Sequence, residues 1–327
     1  MSTGTETIRR ARGRIDPPNI EARHAMYAER HAAVHASFKG VKDLPPSYDC
    51  LALVTPIKDQ GQCGSCWDFS GTCVDESANI KAGFLDNTAA SQLSEQYTLD
   101  ACDGSNGGCG GDDNTTVTQD AKTGGLPLTS VYGPYTASES ACKWQPSQQG
   151  GRVVAAGTML YTLSDWGYVG SQSGVPAVEA IKVAMIQYGA IGCAVAADDA
   201  FEAWGNNSPS KDKPFTGSGS QNIDHDIILC GWDDSVQAWL LRNSWGTSWG
   251  IGGYMWISYS ANLVGYEAIW GKAGTPVPYT PTPNPDPTPT RRMLKLLDHY
   301  AERYQNGTPA ERAAIERELA AQEVRMG

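Results

Sequence analysis

No run of about 18 consecutive apolar residues occurs, so no segment reads as a membrane-spanning helix. An excess of basic charge is also missing: 25 Lys and Arg stand against 36 Asp and Glu, a net charge of −11. Such an acidic surface repels phosphate backbones and anionic lipid, which excludes nucleic acid and membranes as partners. Phe is scarce, with 5 residues against 10 Trp and 14 Tyr, and the hydrophobic share is only 40% beside 36 Gly. That mixture favours loops, turns and half-exposed strands over long buried helices. The opening MSTGTETIRRARGR has no apolar core behind its arginines, so no Sec signal peptide is expected there. Histidine is thin as well, with 5 in the chain. His24, His31 and His35 lie near the start and His299 near the end, which leaves His225 as the one imidazole between.

Cysteine, by contrast, is plentiful. Nine residues cannot all pair, so at least one thiol stays out of a disulfide. Disulfides would place folding in an oxidising compartment, in tension with the missing signal peptide. Localisation therefore stays open.

Composition divides the chain into four parts. Residues 1–43 form a charged, Ala-rich arm in which Ile20 to Phe38 reads as a helix. It reads either as a surface helix in a loose arm or as a short prosegment over the active site. Residues 44–273 form the globular body. Cys66 to about Ala82 is helix-like, and the Gly/Asp/Asn-rich stretch Cys102–Asn114 does not suit regular structure. Ala190–Ala196, Asp226–Gly231, Ala238–Asn243 and Gly253–Ser258 read as strands. A helical half followed by a β-rich half predicts an α+β fold of two lobes. Residues 274–290 are a Pro/Thr linker of the extended kind seen in exported multi-module enzymes. The last part, 291–327, reads as a helical hairpin, with Thr308-Pro309-Ala310-Glu311 as a capping box and an unknown partner.

Chemistry concentrates at Gln60-Gly61-Gln62-Cys63-Gly64-Ser65-Cys66-Trp67. A nucleophilic cysteine must act as thiolate, and a helix N-terminus lowers its pKa. Cys66 stands where Gly-Ser gives way to the helical run, and an imidazolium would complete its activation. His225, at the start of an apolar strand, is the body's one candidate for that part, although a lone histidine is commonly structural. The imidazole needs a third group to hold it. In Arg242-Asn243-Ser244-Trp245-Gly246, Asn243 can accept from the ring and Trp245 can shield that bond from water.

Together these residues resemble the papain-like cysteine proteases (peptidase family C1), whose signature matches Cys63-Gly64-Ser65-Cys66-Trp67. The resemblance runs over about residues 44–272, through Thr55–Gly61, Cys63–Ser70, Leu93–Gln96, Gly108–Gly111, Asp224-His225 and Asn243–Gly246. It implies a helical left lobe, an antiparallel β-barrel-like right lobe and an active-site cleft between them. It also implies Cys66 as nucleophile, His225 as acid and base, Asn243 as orienting amide and Gln60 as oxyanion-hole donor beside the Cys66 N–H. Gly110, Gly111, Asp112, Asp224 and Trp245 would face the substrate, a peptide or protein. Disulfides Cys63–Cys109 and Cys102–Cys142 follow from the same resemblance, with Cys50, Cys73, Cys193 and Cys230 left over. No cofactor and no metal are implied.

Three departures matter. Asp68, two residues after Cys66, stands where the family has a small apolar residue, and its charge is expected to raise the thiol pKa. The glycine pair is shifted to Gly110-Gly111 and runs into Asp112-Asp113, which either favour basic substrates or form a solvated turn. The arm is short and lacks the family's prosegment motif, so any inhibition would come from a plug over the cleft. Rival readings are a redox or zinc protein built on Cys63-Gly64-Ser65-Cys66, a non-catalytic relative, and acyl transfer to an amine. The first has no second CxxC to support it. Endopeptidase action is the default, since no loop that blocks one end of the cleft is evident.

Overall fold

The computed structural model describes residues 11–41, 43–102, 107–140, 142, 144, 157–207, 209–279 and parts of 304–317. Along the described chain run helices α1 (Ile20–Arg30), α2 (Ala32–Ser37), α3 (Cys66–Lys81), α4 (Glu95–Leu99), α5 (Asn114–Thr123), α6 (Thr129–Tyr132), α7 (Val178–Tyr188) and α8 (Asp199–Asn206). The strands are β1 (Ser47–Asp49), β2 (Met159–Leu160), β3 (Leu163–Tyr168), β4 (Ile191–Val195), β5 (His225–Asp233), β6 (Ala238–Arg242), β7 (Tyr254–Ser258), β8 (Tyr266–Ala273) and β9 (Val277–Pro278).

The main sheet has seven strands in the order β3-β8-β4-β5-β6-β7, with β1 pairing the far end of β5, and every pairing in it is antiparallel. Its path does not close, so the right lobe is an open, strongly packed sheet instead of a complete barrel. β5 carries a continuous apolar stretch, Ile227 to Trp232, because all nine of its residues are buried, helices and arm covering both faces.

The other lobe is built around α3, whose residues Cys66 to Asn79 are all buried. A helix with no exposed face over these residues runs through the middle of the molecule, its Asp68, Asp75, Glu76 and Asn79 buried with the rest. Small residues let it do so: a Cβ on Gly71 would stand 2.7 Å from the Asn114 carbonyl oxygen, so only glycine allows α5 to lie this close. One helical turn after Cys66, Ser70 Oγ donates to the Ile227 carbonyl oxygen at 3.0 Å. That bond locks the start of α3 against the start of β5, where the backbone N–H of Asp226, the neighbour of His225, acts on the Cys66 sulfur.

The expected helix over Ile20–Phe38 is two helices, broken at His31, whose φ of −108° leaves the helical region. It is no surface helix: Ala22, Arg23, His24, Met26 and Tyr27 are buried. Tyr27 packs on Trp166 with ring centroids 4.6 Å apart, His24 stacks on Tyr168, and His24 Nε2 bonds Glu267. The start of the expected linker is not a spacer, because Val277–Pro278 pairs with Met159–Leu160 and Tyr279 packs on Trp144. Residues 280–290 and most of the expected hairpin lie outside the described residues. Within it, Thr308 and Glu311 do form reciprocal capping bonds: Thr308 N–H donates to Glu311 Oε2 at 2.7 Å and Glu311 N–H to Thr308 Oγ1 at 3.3 Å.

Candidate active site

Cys66 is the first residue of α3 and Ser65 is its N-cap. The positive end of the helix therefore points at the sulfur, which favours thiolate. The Asp226, Gly13 and Trp67 backbone N–H groups lower the thiol pKa in the same way, Gly13 N lying 3.2 Å from Sγ. Burial outweighs them, with help from the Asp226 carboxylate, and pushes the thiol up to about 12. The acid that acts on the thiol is thus Asp226. Asp68 turns along its own helix and accepts from Thr72 Oγ1 at 3.2 Å.

His225 opens β5, and Asn243 follows β6, its hydrogen-bonded neighbour. His225 Nε2 lies 2.8 Å from Asn243 Oδ1, which also accepts from the Ser244 N–H at 2.8 Å. An oxygen already accepting there assigns the proton to Nε2. Nδ1 is then the basic nitrogen, and it is buried with no hydrogen-bond partner. Trp245 stacks on the ring at 4.7 Å and is itself fully buried, so water is kept from the Asn243 bond. Burial lowers the His225 pKa to about 4.

Several bonds hold Gln60 in place. Its N–H donates to the Ser244 carbonyl oxygen at 2.9 Å, its Oε1 accepts from Ser244 Oγ, and its Nε2 donates to the Cys63 carbonyl oxygen at 3.0 Å. Ser244, named in the sequence only as part of a motif, is therefore the residue that aims the Gln60 amide.

The N-terminal arm runs through this site. Gln60 Nε2 donates to the Ala11 carbonyl oxygen at 3.1 Å, and Gly13 N meets the sulfur. Gly13 O accepts from the Asp112 N–H and the Ile15 N–H donates to Asp112 O, both at 2.9 Å, a parallel bridge centred on Arg14. Arg14 N–H donates to Asp224 O at 3.1 Å. A Cβ at Gly13 would stand 1.7 Å from Gly64 O, and one at Gly111, where φ is +109°, would stand 2.5 Å from Gly13 O. Only glycine fits at either position. Arg12 reaches Asp224 at 3.3 Å and Glu202 at 3.5 Å, and Arg14 reaches Asp226 at 3.0 Å.

Gln60, His225, Asn243 and Trp245 are thus linked through Ser244 and ring stacking, and Cys66 joins them through Gly13 and the Asp226 N–H. Gly111 and Asp112 meet the arm through backbone atoms, Asp224 through its carbonyl and its carboxylate. Gly110 is exposed and faces open space. Asp113 caps α5, accepting from the Thr115 N–H at 2.9 Å. Sequence reasoning missed Asp226 and Glu202, which flank the arm's arginines. The one available signal was the basic run Arg9-Arg10-Ala11-Arg12-Gly13-Arg14 on an otherwise acidic chain. Cys63 is bonded to Cys109, which carries the loop before Cys66 against the Gly111 wall, and Cys102 to Cys142. Cys50, Cys66, Cys73, Cys193 and Cys230 are buried free thiols.

Residues 44–270 match the profile of the family described as papain family cysteine protease. The chain belongs to the papain family. Its curated relatives include the cysteine endopeptidase Rep1 of Oryza sativa subsp. japonica, 31% identical over 75% of this chain and 62% of that protein. They also include a cathepsin L-like peptidase of Aedes aegypti, 35% identical over 62% of this chain and 55% of its own. The chain therefore spans somewhat over half the length of these relatives. Among solved structures, a digestive procathepsin L 3 of Tenebrio molitor larval midgut superposes with a TM-score of 0.56 at 25% identity, covering 71% of each chain. A Carica candamarcensis cysteine protease in complex with E-64 does so with 0.53 at 27% identity, covering 70% of this chain and 99% of that one.

Proposed function

We propose that this chain is a cysteine endopeptidase whose own N-terminal arm plugs its cleft. The observation that carries the reading is the meeting of the Cys66 sulfur and the Gln60 amide on one stretch of arm backbone, beside the strand end that bears the imidazole. The Cys66 sulfur, at a helix N-terminus, and the aimed Gln60 amide meet Gly13 and Ala11, and Arg14 N–H meets the carbonyl oxygen of Asp224, next to an imidazole held by Asn243 with Nδ1 buried and unpartnered.

With a peptide in place of the arm, His225 Nδ1 takes the thiol proton and Asn243 steadies the imidazolium. The thiolate attacks the scissile carbonyl carbon. Negative charge gathers on its oxygen, which accepts from Gln60 Nε2 and the Cys66 N–H. His225 then protonates the leaving amine as the acyl-enzyme forms, and it activates the water that hydrolyses the thioester.

The arm fills the same groove without offering a bond in that register. The carbonyl on the Gln60 amide belongs to Ala11, whereas the atom against the sulfur is the Gly13 nitrogen. Covering the pair also favours its uncharged form, since burial pushes the thiol up and the imidazole down.

The test uses the full chain. Gly13→Val forces a side chain into Gly64 O and should expel the arm, raising peptide hydrolysis and Cys66 labelling by an epoxide thiol inhibitor. Cys66→Ala should abolish both. Failure of the unsubstituted chain and of Gly13→Val alike to take up the epoxide or cut any peptide would refute the protease reading. Equal rates for those two chains would refute the plug alone.

A further inference from the structure

We propose that the recess floored by Asp226 is an arginine pocket, so that the enzyme selects peptides carrying an arginine side chain close to the scissile bond. The inference rests on the protease reading above and adds the substrate class.

Asp226 follows His225 on β5 and its side chain is fully buried. A carboxylate so placed needs a counter-charge, because an isolated buried ion is costly. The cation that meets it is Arg14, whose guanidinium is 1% exposed and whose Nη1 lies 3.0 Å from Asp226 Oδ1. Arg14 belongs to the arm, and so does Asp16, which holds the guanidinium from the other side at 2.9 Å. When the arm leaves, both go with it and Asp226 stays behind. Its second oxygen, Oδ2, is buried with no hydrogen-bond partner even while Arg14 is bound. The recess thus keeps a whole carboxylate edge for an incoming group. Arginine suits it, since a planar fork can meet both oxygens and is less tightly hydrated than an ammonium.

Position ties the recess to the chemistry. Asp226 adjoins the imidazole in sequence, and its backbone N–H acts on the Cys66 sulfur. Arg14 directly follows Gly13, whose nitrogen meets that sulfur. A residue seated like Arg14 is therefore adjacent to the reacting centre.

Other acids near the groove are weaker candidates. Asp113 caps α5, and Asp112 Oδ1 accepts from the Asp113 N–H at 2.8 Å. Arg12 meets Asp224, 24% exposed, Asp199, 85% exposed, and Glu202, 10% exposed and 3.5 Å away, so that side is wetter and its pairs looser than Arg14–Asp226 at 3.0 Å.

The test is a set of fluorogenic peptides with arginine, citrulline, norleucine or glutamate at each position flanking the cut bond. It is run on the full chain, on its Gly13→Val variant, and on the same variant with Asp226→Asn added. At one position, arginine should raise kcat/KM over isosteric citrulline by about tenfold to a hundredfold, the size expected of a buried charged hydrogen bond. In the Asp226→Asn chain the arginine-to-citrulline ratio should fall towards one. The ratio is read within each protein, so a general loss of activity does not mimic the result. A citrulline peptide cut as fast as its arginine twin, by protein that takes up the epoxide, overturns the arginine pocket and leaves the protease reading standing. So does an unchanged ratio in the Asp226→Asn chain. Should that variant not fold, Asp226→Glu replaces it: a shifted carboxylate is expected to lower the ratio, and an unaltered ratio again overturns the proposal.

Discussion

At the scale of single residues, the site is governed by what burial does to a thiol and an imidazole. Both are uncharged beneath the arm, with the Cys66 pKa pushed up to about 12 and that of His225 down to about 4. Only thiolate reacts with iodoacetamide. Alkylation of Cys66 in the full chain should therefore be slow near pH 7 and climb steadily as pH rises towards about 12. In Gly13→Val, where solvent returns and the ion pair can form, labelling should already be fast at about pH 6. The Gln60 amide is the other decisive group. Gln60→Ala should lower kcat by about a hundredfold to a thousandfold, as expected for one oxyanion donor, with KM little changed. Ser244→Ala should lower it less, because it removes only the hydroxyl that holds Gln60 Oε1 and leaves the backbone bonds of Ser244 in place.

Individual elements add anchors that no single residue supplies. The loop before α3 is tied to the helix by Lys58, whose Nζ bonds Glu76 on α3 at 2.7 Å and the Leu93 carbonyl oxygen at 3.1 Å, and also pairs Glu95 on α4. Burial would lower the Lys58 pKa, yet the two carboxylates raise it overall. Lys58→Met should destabilise the fold by about 3–5 kcal/mol, because two buried carboxylates lose their counter-ion. Urea denaturation with an unchanged m-value would measure it. In the arm, α1 is the anchor that carries Gly13 to the sulfur. Tyr27 is 2% exposed and packed on Trp166 and Tyr168. Tyr27→Ala should loosen the arm by about 3 kcal/mol, the lower range for a buried aromatic, and raise activity of the full chain without changing its peptide preference.

For the molecule as a whole, the cleft walls come from distant stretches of chain. The Cys63–Cys109 bond spans a sequence separation of 46 and Gly64 N–H donates to Cys109 O at 3.2 Å, so the loop before Cys66 and the glycine wall move together. The double change Cys63→Ser, Cys109→Ser should cost about 2–4 kcal/mol, visible as a lower Tm. It should also weaken the arm's hold, because Gly13 is gripped between Gly64 and Gly111.

What could be read from the residues in order was whatever depends on local pattern. α3 begins at Cys66 because Gly-Ser precedes an apolar, small-residue run, and β4 to β7 follow apolar alternation and continuity. β3 and β8 escaped notice because Trp166, Gly167 and Gly271 break any simple period. The same locality explains the proposed reacting residues, since with one imidazole in the body the partner of Cys66 had a single candidate. Sequence by itself thus determined the family, and it singled out the thiol, the imidazole and the amides that are proposed to carry the chemistry. Tertiary structure alone decided that the arm threads the groove, that Gly13 rests on the sulfur, and that Asp226, not Asp112, meets the arginine. Those facts join residues some 50 to 210 positions apart, and no periodicity of a chain encodes which distant charge a buried carboxylate will face.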